Sequence, residues 1–205
     1  MTEAEGRDTP GTGLSKPESR RKLHERQVIA EGFEREDGLF DIEGRLTDQK
    51  SYPFDNAFRG TIEAGDWVHR MGLRLTVDRS FRIHRVEAAM ADHPFAVCPE
   101  ITGAFRKLEG LSIRPGFTRK MRERVGGING CTHIVNLVEQ LAVVAFQTIG
   151  PLLKDDPDFV PRGKPRHLDS CHALRSDGPV VREHYPQWYR SPDQATTADD
   201  SHEHE

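Results

Sequence analysis

Two runs of alternating apolar and polar residues flank the dipeptide Asp37-Gly38 between residues 26 and 46, and this pattern constrains the fold more than any other feature. Asp-Gly suits a two-residue hairpin turn, because such turns need residues that tolerate a positive φ. The pattern therefore predicts a β-hairpin with a two-residue turn. Its expected cross-strand pairs are Phe33 with Ile42 and Glu34 with Asp41.

The alternation gives the predicted hairpin one apolar face and one charged face. The face expected to pack in the core carries Ile29, Phe33, Phe40, Ile42 and Leu46. The other face carries Glu34, Asp41, Glu43 and Arg45. Two carboxylates would lie directly opposite each other there, which costs stability unless a cation or water relieves the repulsion. This charged face is therefore either solvated or functional.

Later segments extend the sheet and then change to helical spacing. Residues 67–77 alternate, which places His69 among apolar side chains. Apolar residues recur most regularly at helical spacing over 132–149. Other expected elements are a strand from Phe81 to about Glu87, helices at 99–108 and 118–125, and an extended end over 180–188. The predicted fold class is α+β, an antiparallel sheet of N-terminal hairpins packed against C-terminal helices.

The length of 205 residues suits one compact domain with polar ends. Residues 1–21 and 191–205 hold almost no large apolar side chains and are expected to be disordered, the second as an acidic and histidine-rich tail. A single α+β domain is expected over residues 22–190.

The charge balance argues against whole classes of partner. A formal net charge of -4, from 29 basic and 33 acidic side chains, gives no electropositive field that would attract nucleic acid. No apolar stretch is expected to be long enough to span a bilayer, and no signal-peptide core follows Met1. We expect a cytoplasmic protein with a small-molecule substrate and without nucleic-acid or membrane partners. A homo-oligomer is compatible with the sequence.

A glycine-rich segment, residues 126–133, precedes the longest predicted helix. Amides at a helix N-terminus stabilise an anion and lower the pKa of a thiol there, which makes Cys131 and His133 candidate catalytic residues. Gly130 and Thr132 could help these amides to hold a carboxylate or an oxyanion of a substrate. In the alternative interpretation the glycines only end a helix, Cys131 is a small core residue and His133 is an ordinary surface imidazole.

The predicted sheet supplies further candidates. His69 is either a hydrogen-bonded core histidine or a catalytic base. Residues two apart on a helix do not face each other. His133 is therefore expected to act on a substrate and not on the Cys131 thiol.

The charged face of the hairpin offers an acid–base pair. Asp41 and Glu43 could act as acid and base, with Arg45 or Lys50 as an anion clamp, or they could simply be solvated. Tyr52 could donate a proton or hold a phenol, or pack against its neighbours.

The three cysteines are an odd number, widely spaced, and are expected as thiols rather than as a disulfide framework. Cys98, Cys131 and Cys171, with His133, could in principle form a zinc site or hold an iron–sulfur cluster. No pair has the C-x₂-C spacing that makes such a site specific, so no cofactor is expected and metal binding stays an alternative.

Five motifs together resemble an uncharacterised bacterial family, formally a domain of unknown function. They are Asp37–Gly44 (DGLFDIEG), Asp48–Phe54 (DQKSYPF), Cys98–Glu100 (CPE), Gly130–His133 (GCTH) and Asp169–Leu174 (DSCHAL). The resemblance implies a link with the catabolism of small aromatic compounds, including lignin-derived phenols. Cys98 and Cys131 lie at predicted helix starts, which resembles the layout of iron–sulfur scaffold proteins of the NifU type. Cys171 departs from that layout, because it lies beyond a long loop.

The resulting expectation is an enzyme, a cofactor-independent lyase that cleaves a carbon–carbon bond of a small aromatic or acyl substrate by acid–base chemistry. His69 or His133 would move a proton, and Asp41 or Glu43 would orient that base or act as the acid. The alternatives are a metal or iron–sulfur protein using Cys98, Cys131 and Cys171, and a partner-binding module without catalysis.

Overall fold

The computed structural model describes residues 13–153, 163–165 and 167–191, which fall into two compact units, Met1–Gly150 and Pro151–Glu205. Residues 13–23 are exposed and carry no helix or strand. The rest of the first predicted tail, and the predicted C-terminal tail after Ser191, lie outside the described residues. The expectation of one domain over 22–190 stays a prediction.

The first unit is built on an antiparallel sheet. Its strands are β1 (His24–Glu34), β2 (Phe40–Lys50), β5 (Trp67–Val77) and β6 (Ile83–Asp92), in the order β1-β2-β5-β6, and a separate ribbon pairs β3 (Phe54–Asn56) with β4 (Gly60–Ile62). Every strand pairs with its neighbour in antiparallel fashion.

Helices follow the sheet in the chain. They are α1 (Phe117–Val125) and α2 (Thr132–Ile149), with 3₁₀ helices at Cys98–Leu108, Gly127–Asn129 and Gly150–Leu153. An antiparallel sheet of N-terminal strands followed by helices confirms the predicted α+β class. The expected helix over 132–149 is confirmed, because its apolar spacing is continuous over this range.

The predicted two-residue hairpin turn is wrong. The Arg35 amide donates a hydrogen bond to the Leu39 carbonyl at 2.9 Å, so three residues, 36–38, form the loop. Gly38 has a φ of 80°, as expected for the left-handed residue that closes a three-residue hairpin loop. Phe33 therefore pairs with Asp41, and Glu34 with Phe40.

This shift of one residue changes which side chains of β1 face the core. Ile29 and Phe33, expected inside, lie on the other face and are 46% and 45% exposed. Side chains alternate along a strand, so a shift of one residue moves each of them to the opposite face. The prediction for β2 is confirmed, since Phe40, Ile42 and Leu46 are all buried.

Helix α2 packs on the face of the sheet that carries Phe40, Ile42 and Leu46, called the core face here; the opposite face is called the outer face. Gly44 lies on the core face, and a Cβ added to it would come 2.8 Å from Cδ1 of Leu137 and 2.9 Å from Cδ2 of Leu141. The strand thus needs glycine at this position because the helix lies so close to it.

The helical run Thr132–Leu153 is long and apolar enough to cross a membrane by length and composition. The expectation that no such stretch exists is therefore wrong on those two criteria. Leu137, Val138 and Leu141 of this run are nevertheless buried within the protein.

The second unit contains a short helix, α3 (Pro179–His184), and 3₁₀ helices at His172–Leu174 and Pro186–Trp188. The end of the chain over 180–188, expected to be extended, is thus helical, and Pro179 occupies a first-turn position that suits its fixed φ. Asp169 organises the preceding loop, because its carboxylate accepts hydrogen bonds from the Ser176 amide at 2.7 Å and hydroxyl at 2.8 Å.

Candidate active site

The core face of the sheet holds a buried carboxylate and an imidazole in direct contact. Asp48 on β2 pairs with His69 on β5, so both side chains lie on the same face. The His69 Nδ1 atom is 2.9 Å from Oδ2 of Asp48. Asp48 is 2% exposed, which makes it the one buried charged residue in the part of the chain that the structure describes.

Two residues of β1 complete the surroundings of Asp48. The Arg26 guanidinium donates two hydrogen bonds to the carboxylate, Nε to Oδ1 at 2.8 Å and Nη2 to Oδ2 at 2.6 Å. His24 Nε2 lies 2.9 Å from Oδ1. Burial alone would raise the pKa of Asp48, but the hydrogen bonds from Arg26, His24 and His69 and the charge of Arg26 outweigh it and lower the pKa to about 2. Asp48 is therefore ionised at neutral pH.

The environment keeps His69 neutral. Burial lowers the pKa of His69, and the Asp48 carboxylate only partly opposes this effect. A neutral imidazole carries one proton, and since an ionised carboxylate is an acceptor only, that proton lies on Nδ1, which faces Asp48. The lone pair of Nε2 is then free to accept a proton.

His133 stacks obliquely against His69. It lies in the first turn of α2, and the two ring centroids are 4.1 Å apart with the ring planes tilted by 40°. The pKa of His133 is also lowered, first by burial and then by the repulsion that a protonated His69 and the Arg26 guanidinium would exert on an imidazolium. The structure thus brings together two neutral imidazoles from separate parts of the chain.

Cys131 contacts the second imidazole. Its Sγ atom is 3.8 Å from Nδ1 of His133. The expectation that the two side chains would not face each other is wrong, because Cys131 is the N-cap residue with extended backbone, φ -115° and ψ 127°, and helical spacing does not apply to it. The N-cap side chain makes no hydrogen bond to the first-turn amides.

The glycine before Cys131 has a packing role in the described structure. A Cβ added to Gly130 would lie 1.9 Å from the Val125 carbonyl oxygen, so the loop can pass this carbonyl only with glycine. Thr132, the other predicted substrate-binding residue of this loop, is exposed at the start of α2.

The carboxylates predicted as acid and base lie on the outer face, away from the histidines. Asp41 accepts a hydrogen bond from the Thr76 hydroxyl at 2.6 Å, and Glu43 one from Arg74 at 2.6 Å. Arg45 contacts Glu31 at 2.8 Å. The structure therefore does not bring Asp41, Glu43 or Arg45 together with His69.

Lys50 and Tyr52 come shortly after Asp48 in the chain. The Lys50 ammonium lies 3.9 Å from the centre of the Phe54 ring and 5.4 Å from that of Tyr52. Tyr52 is 39% exposed. Both side chains take part in a cation–π arrangement, and no contact links them to the two histidines in the described part of the chain.

A cavity of about 910 Å³ opens on the outer face, lined by β2, β5, β6 and the 3₁₀ helix Cys98–Leu108. Arg45, Arg74 and Arg106 border it, together with Glu43 and Glu87. These charges largely neutralise one another in ion pairs such as Arg74 with Glu87 at 2.8 Å. This cavity is separated from His69 and His133 by the sheet itself.

The histidine cluster also has the composition of a metal site. Among the described residues, Asp48, His69 and His133 form a group whose ligand atoms lie within 4.8 Å of one another. No cysteine belongs to this group. Cys98 and Cys131 are partly exposed free thiols, and Cys171 is an exposed one.

Sequence reasoning missed Asp48, Arg26 and His24 as site residues. A usable signal was present, because the alternation that buries Phe40 and Leu46 continues to Asp48 and places a carboxylate on the apolar face. Such a carboxylate requires a partner, which directs attention to the neighbouring strands.

A comparison with protein families shows which family the chain resembles. The family model described as "Protein of unknown function (DUF2889)" matches residues 24–147, well over half of the chain. The match includes Asp48, His69, Cys131 and His133. No curated protein and no solved structure matches the chain.

Proposed function

The chain belongs to the DUF2889 family of proteins of unknown function, and we propose that it is a cofactor-independent lyase that cleaves a carbon–carbon bond by acid–base chemistry. The observation that carries the proposal is the contact between His69 and the buried Asp48, with His133 stacked beside it. The family match agrees with the expectation of a family of unknown function. The link with aromatic catabolism is part of the proposal.

The proposal assigns the role of base to His69. The Asp48 carboxylate fixes the Nδ1–H tautomer and stabilises the imidazolium that forms when Nε2 takes a proton, as a buried carboxylate does for the histidine of a catalytic triad. Asp48 thus takes the orienting role that the sequence suggested for Asp41 or Glu43. His133, also neutral, donates a hydrogen bond to the reacting oxygen.

The proposed step conserves atoms and protons without a co-reactant. His69 Nε2 accepts the proton of a hydroxyl group carried by one of the two carbons that the breaking bond joins. The O–H electron pair forms a carbonyl group at the carbon that carried the hydroxyl. The electron pair of the broken carbon–carbon bond goes to the other carbon of that bond. That carbon then takes the proton back from the imidazolium, so the enzyme returns to its starting state.

The same step defines the substrate class. The carbon that receives the electron pair needs an aromatic ring or a carbonyl group beside it to delocalise the charge. A small aromatic compound, including a lignin-derived one, or an acyl compound meets this requirement. The uncapped first-turn amides of α2 would hold an anionic group of such a substrate.

The proposal is tested with the full chain and a panel of small aromatic and acyl compounds that carry a hydroxyl group on one of the two carbons of the scissile bond. Release of the aldehyde product is measured in the presence of a metal chelator. We expect turnover by the wild type and a loss of about a hundredfold or more in His69→Gln and His133→Ala. Cys131→Ser should stay within about tenfold of the wild type, because the thiol moves no proton in this mechanism.

The matched control is His84→Gln. His84 also contacts a carboxylate, Asp78, at 2.7 Å, but it lies at the surface away from the cluster. An equal loss in His84→Gln, or full activity in His69→Gln, contradicts the proposal. Loss of activity in Cys131→Ser equal to that in His133→Ala would instead assign a nucleophilic thiol.

A second candidate function is metal binding at Asp48, His69 and His133, favoured by the short distances between their ligand atoms. The Asp48 carboxylate already accepts hydrogen bonds from Arg26 and His24, which disfavours metal binding by the same oxygens. Equilibrium dialysis against zinc distinguishes the two candidates. All proteins in this assay carry His202→Gln and His204→Gln, so that the C-terminal histidines do not contribute. Stoichiometric zinc that is lost in His69→Gln and kept in His84→Gln would support the metal site.

A further inference from the structure

Strand β1 forms a long edge of the sheet. Among the residues that the structure describes, it pairs on one side only, with β2, and nine of its eleven residues are exposed. Its register with β2 runs without a bulge, and it contains no proline. Edge strands of monomeric proteins are usually shortened, bulged, covered or interrupted by charges, because their free amides and carbonyls pair with other chains. β1 carries charges at Glu25, Arg26 and Glu31, but it is long and unbulged.

The free hydrogen-bonding groups of β1 belong to its even-numbered residues. The Arg35 amide donates to Leu39, and the Leu23 carbonyl accepts from Ser51, so odd-numbered residues are bonded towards β2. In an antiparallel ladder the alternate residues then point their N–H and C=O groups away. Val28 and Ala30 therefore direct theirs outwards at the centre of the strand.

We infer that this edge is the interface of a homodimer, in which β1 pairs antiparallel with β1 of a second copy about a two-fold axis at Ile29. The two sheets then join into one continuous sheet of eight strands. This inference concerns assembly and does not depend on the proposed lyase activity.

The charge pattern of β1 favours a second copy of β1 as the partner strand, and it favours this register over its neighbours. With the axis at Ile29, all eleven residues pair, Ile29 faces Ile29 and Val28 faces Ala30. His24 then faces Glu34, and no two like charges lie opposite each other. An axis at Val28 would oppose Glu25 and Glu31, which destabilises a strand pair, and an axis at Ala30 leaves His24 and Glu25 unpaired.

The exposed apolar side chains of β1 are consistent with this interface. Val28 is 44% exposed and Ile29 46% exposed, on opposite faces of the strand. Both would be covered by pairing with a second copy. An interface in which one patch meets itself is the usual arrangement of two-fold dimers.

The dimer interface would also lie next to the histidine cluster. His24 contacts Asp48 at 2.9 Å, and in this register the Glu34 carboxylate of the second copy lies opposite His24. Assembly would therefore add an acidic group beside the residues that hold Asp48.

The test measures the mass of the full chain in solution by sedimentation equilibrium. The wild type is expected at twice the monomer mass of 23.2 kDa. Ile29→Lys and Ile29→Glu, each alone, are expected as monomers, because the two-fold axis places two like charges face to face. An equimolar mixture of the two variants should form a dimer again, because lysine then faces glutamate.

Two controls keep the test decisive. Ile128→Lys, at a 99% exposed position outside the edge, should remain dimeric. Hydrogen exchange at the Val28 and Ala30 amides should be slow in the wild type and fast in Ile29→Lys, while the amides of β2 stay protected in both. A monomeric wild type, a dimeric Ile29→Lys, or a mixture that stays monomeric overturns the inference.

Discussion

The Nδ1 atom of His69 lies 2.9 Å from Oδ2 of Asp48, across two adjacent strands that place the residues directly opposite each other. Arg26 and His24 from the third strand hold the same carboxylate. The imidazole is thus oriented by a group that is itself fixed by the sheet, which is the arrangement that the proposed general base requires.

Replacing Asp48 by Asn should lower the pKa of His69 further. The Asp48 carboxylate raises that pKa by its hydrogen bond and its charge, in opposition to burial, and Asn keeps the shape but not the charge. Titration of the histidine ring protons by NMR measures the change. The control is Asp92→Asn, which removes a surface partner of Arg70 at 2.7 Å and should leave His69 unchanged. An unaltered His69 titration in Asp48→Asn would contradict the charge coupling.

Asp48 should make the protein sensitive to acid. Its pKa falls from 3.8 to about 2 on folding, so its contribution is present above pH 3.8 and is lost as the pH falls towards 2. A depression of this size corresponds to about 2 kcal/mol of folding free energy. Urea unfolding as a function of pH should show Asp48→Asn less stable than the wild type near neutrality. The difference should shrink as the solution becomes acidic; a difference that is constant with pH would assign the loss to packing.

The rate of the proposed reaction should rise with pH and then level off. The base is active when neutral, and burial lowers the pKa of His69 below its ordinary value of 6.5. The midpoint of the rise in kcat/KM is therefore expected below pH 6.5, and it should move lower still in Asp48→Asn. A midpoint above the ordinary histidine value would assign the role of base to another group. A rate that falls as the pH rises through this range would show that protonated imidazole is the required form.

Gly44→Ala should destabilise the fold, whereas Gly72→Ala should not. The added methyl group at Gly44 would meet Leu137 at 2.8 Å, while at Gly72 the nearest atom is the Gly44 carbonyl oxygen at 4.0 Å. Overpacking of this kind costs about 1 to 3 kcal/mol. Thermal and denaturant unfolding of the two variants compares the same substitution at two sites of one sheet. Equal stability of both would mean that α2 moves away from β2 at little cost.

The sequence by itself determined the local structure and much of its orientation. Period-two alternation identified β2 and its buried face with Phe40, Ile42 and Leu46, and it placed His69 on the apolar side of β5. Helical spacing defined α2. These predictions succeeded because the face of a strand or helix depends on the spacing of apolar residues within a single element.

Only the tertiary structure decided which residues meet. The three-residue loop after Arg35 set the hairpin register and moved Ile29 and Phe33 outwards, and one residue more or less in a turn is not visible in the alternation. The pairing of Asp48 with His69, and the approach of His133 to both, join residues 21 to 85 positions apart. Such contacts arise from strand order and from the packing of α2 on the sheet, which no local pattern encodes.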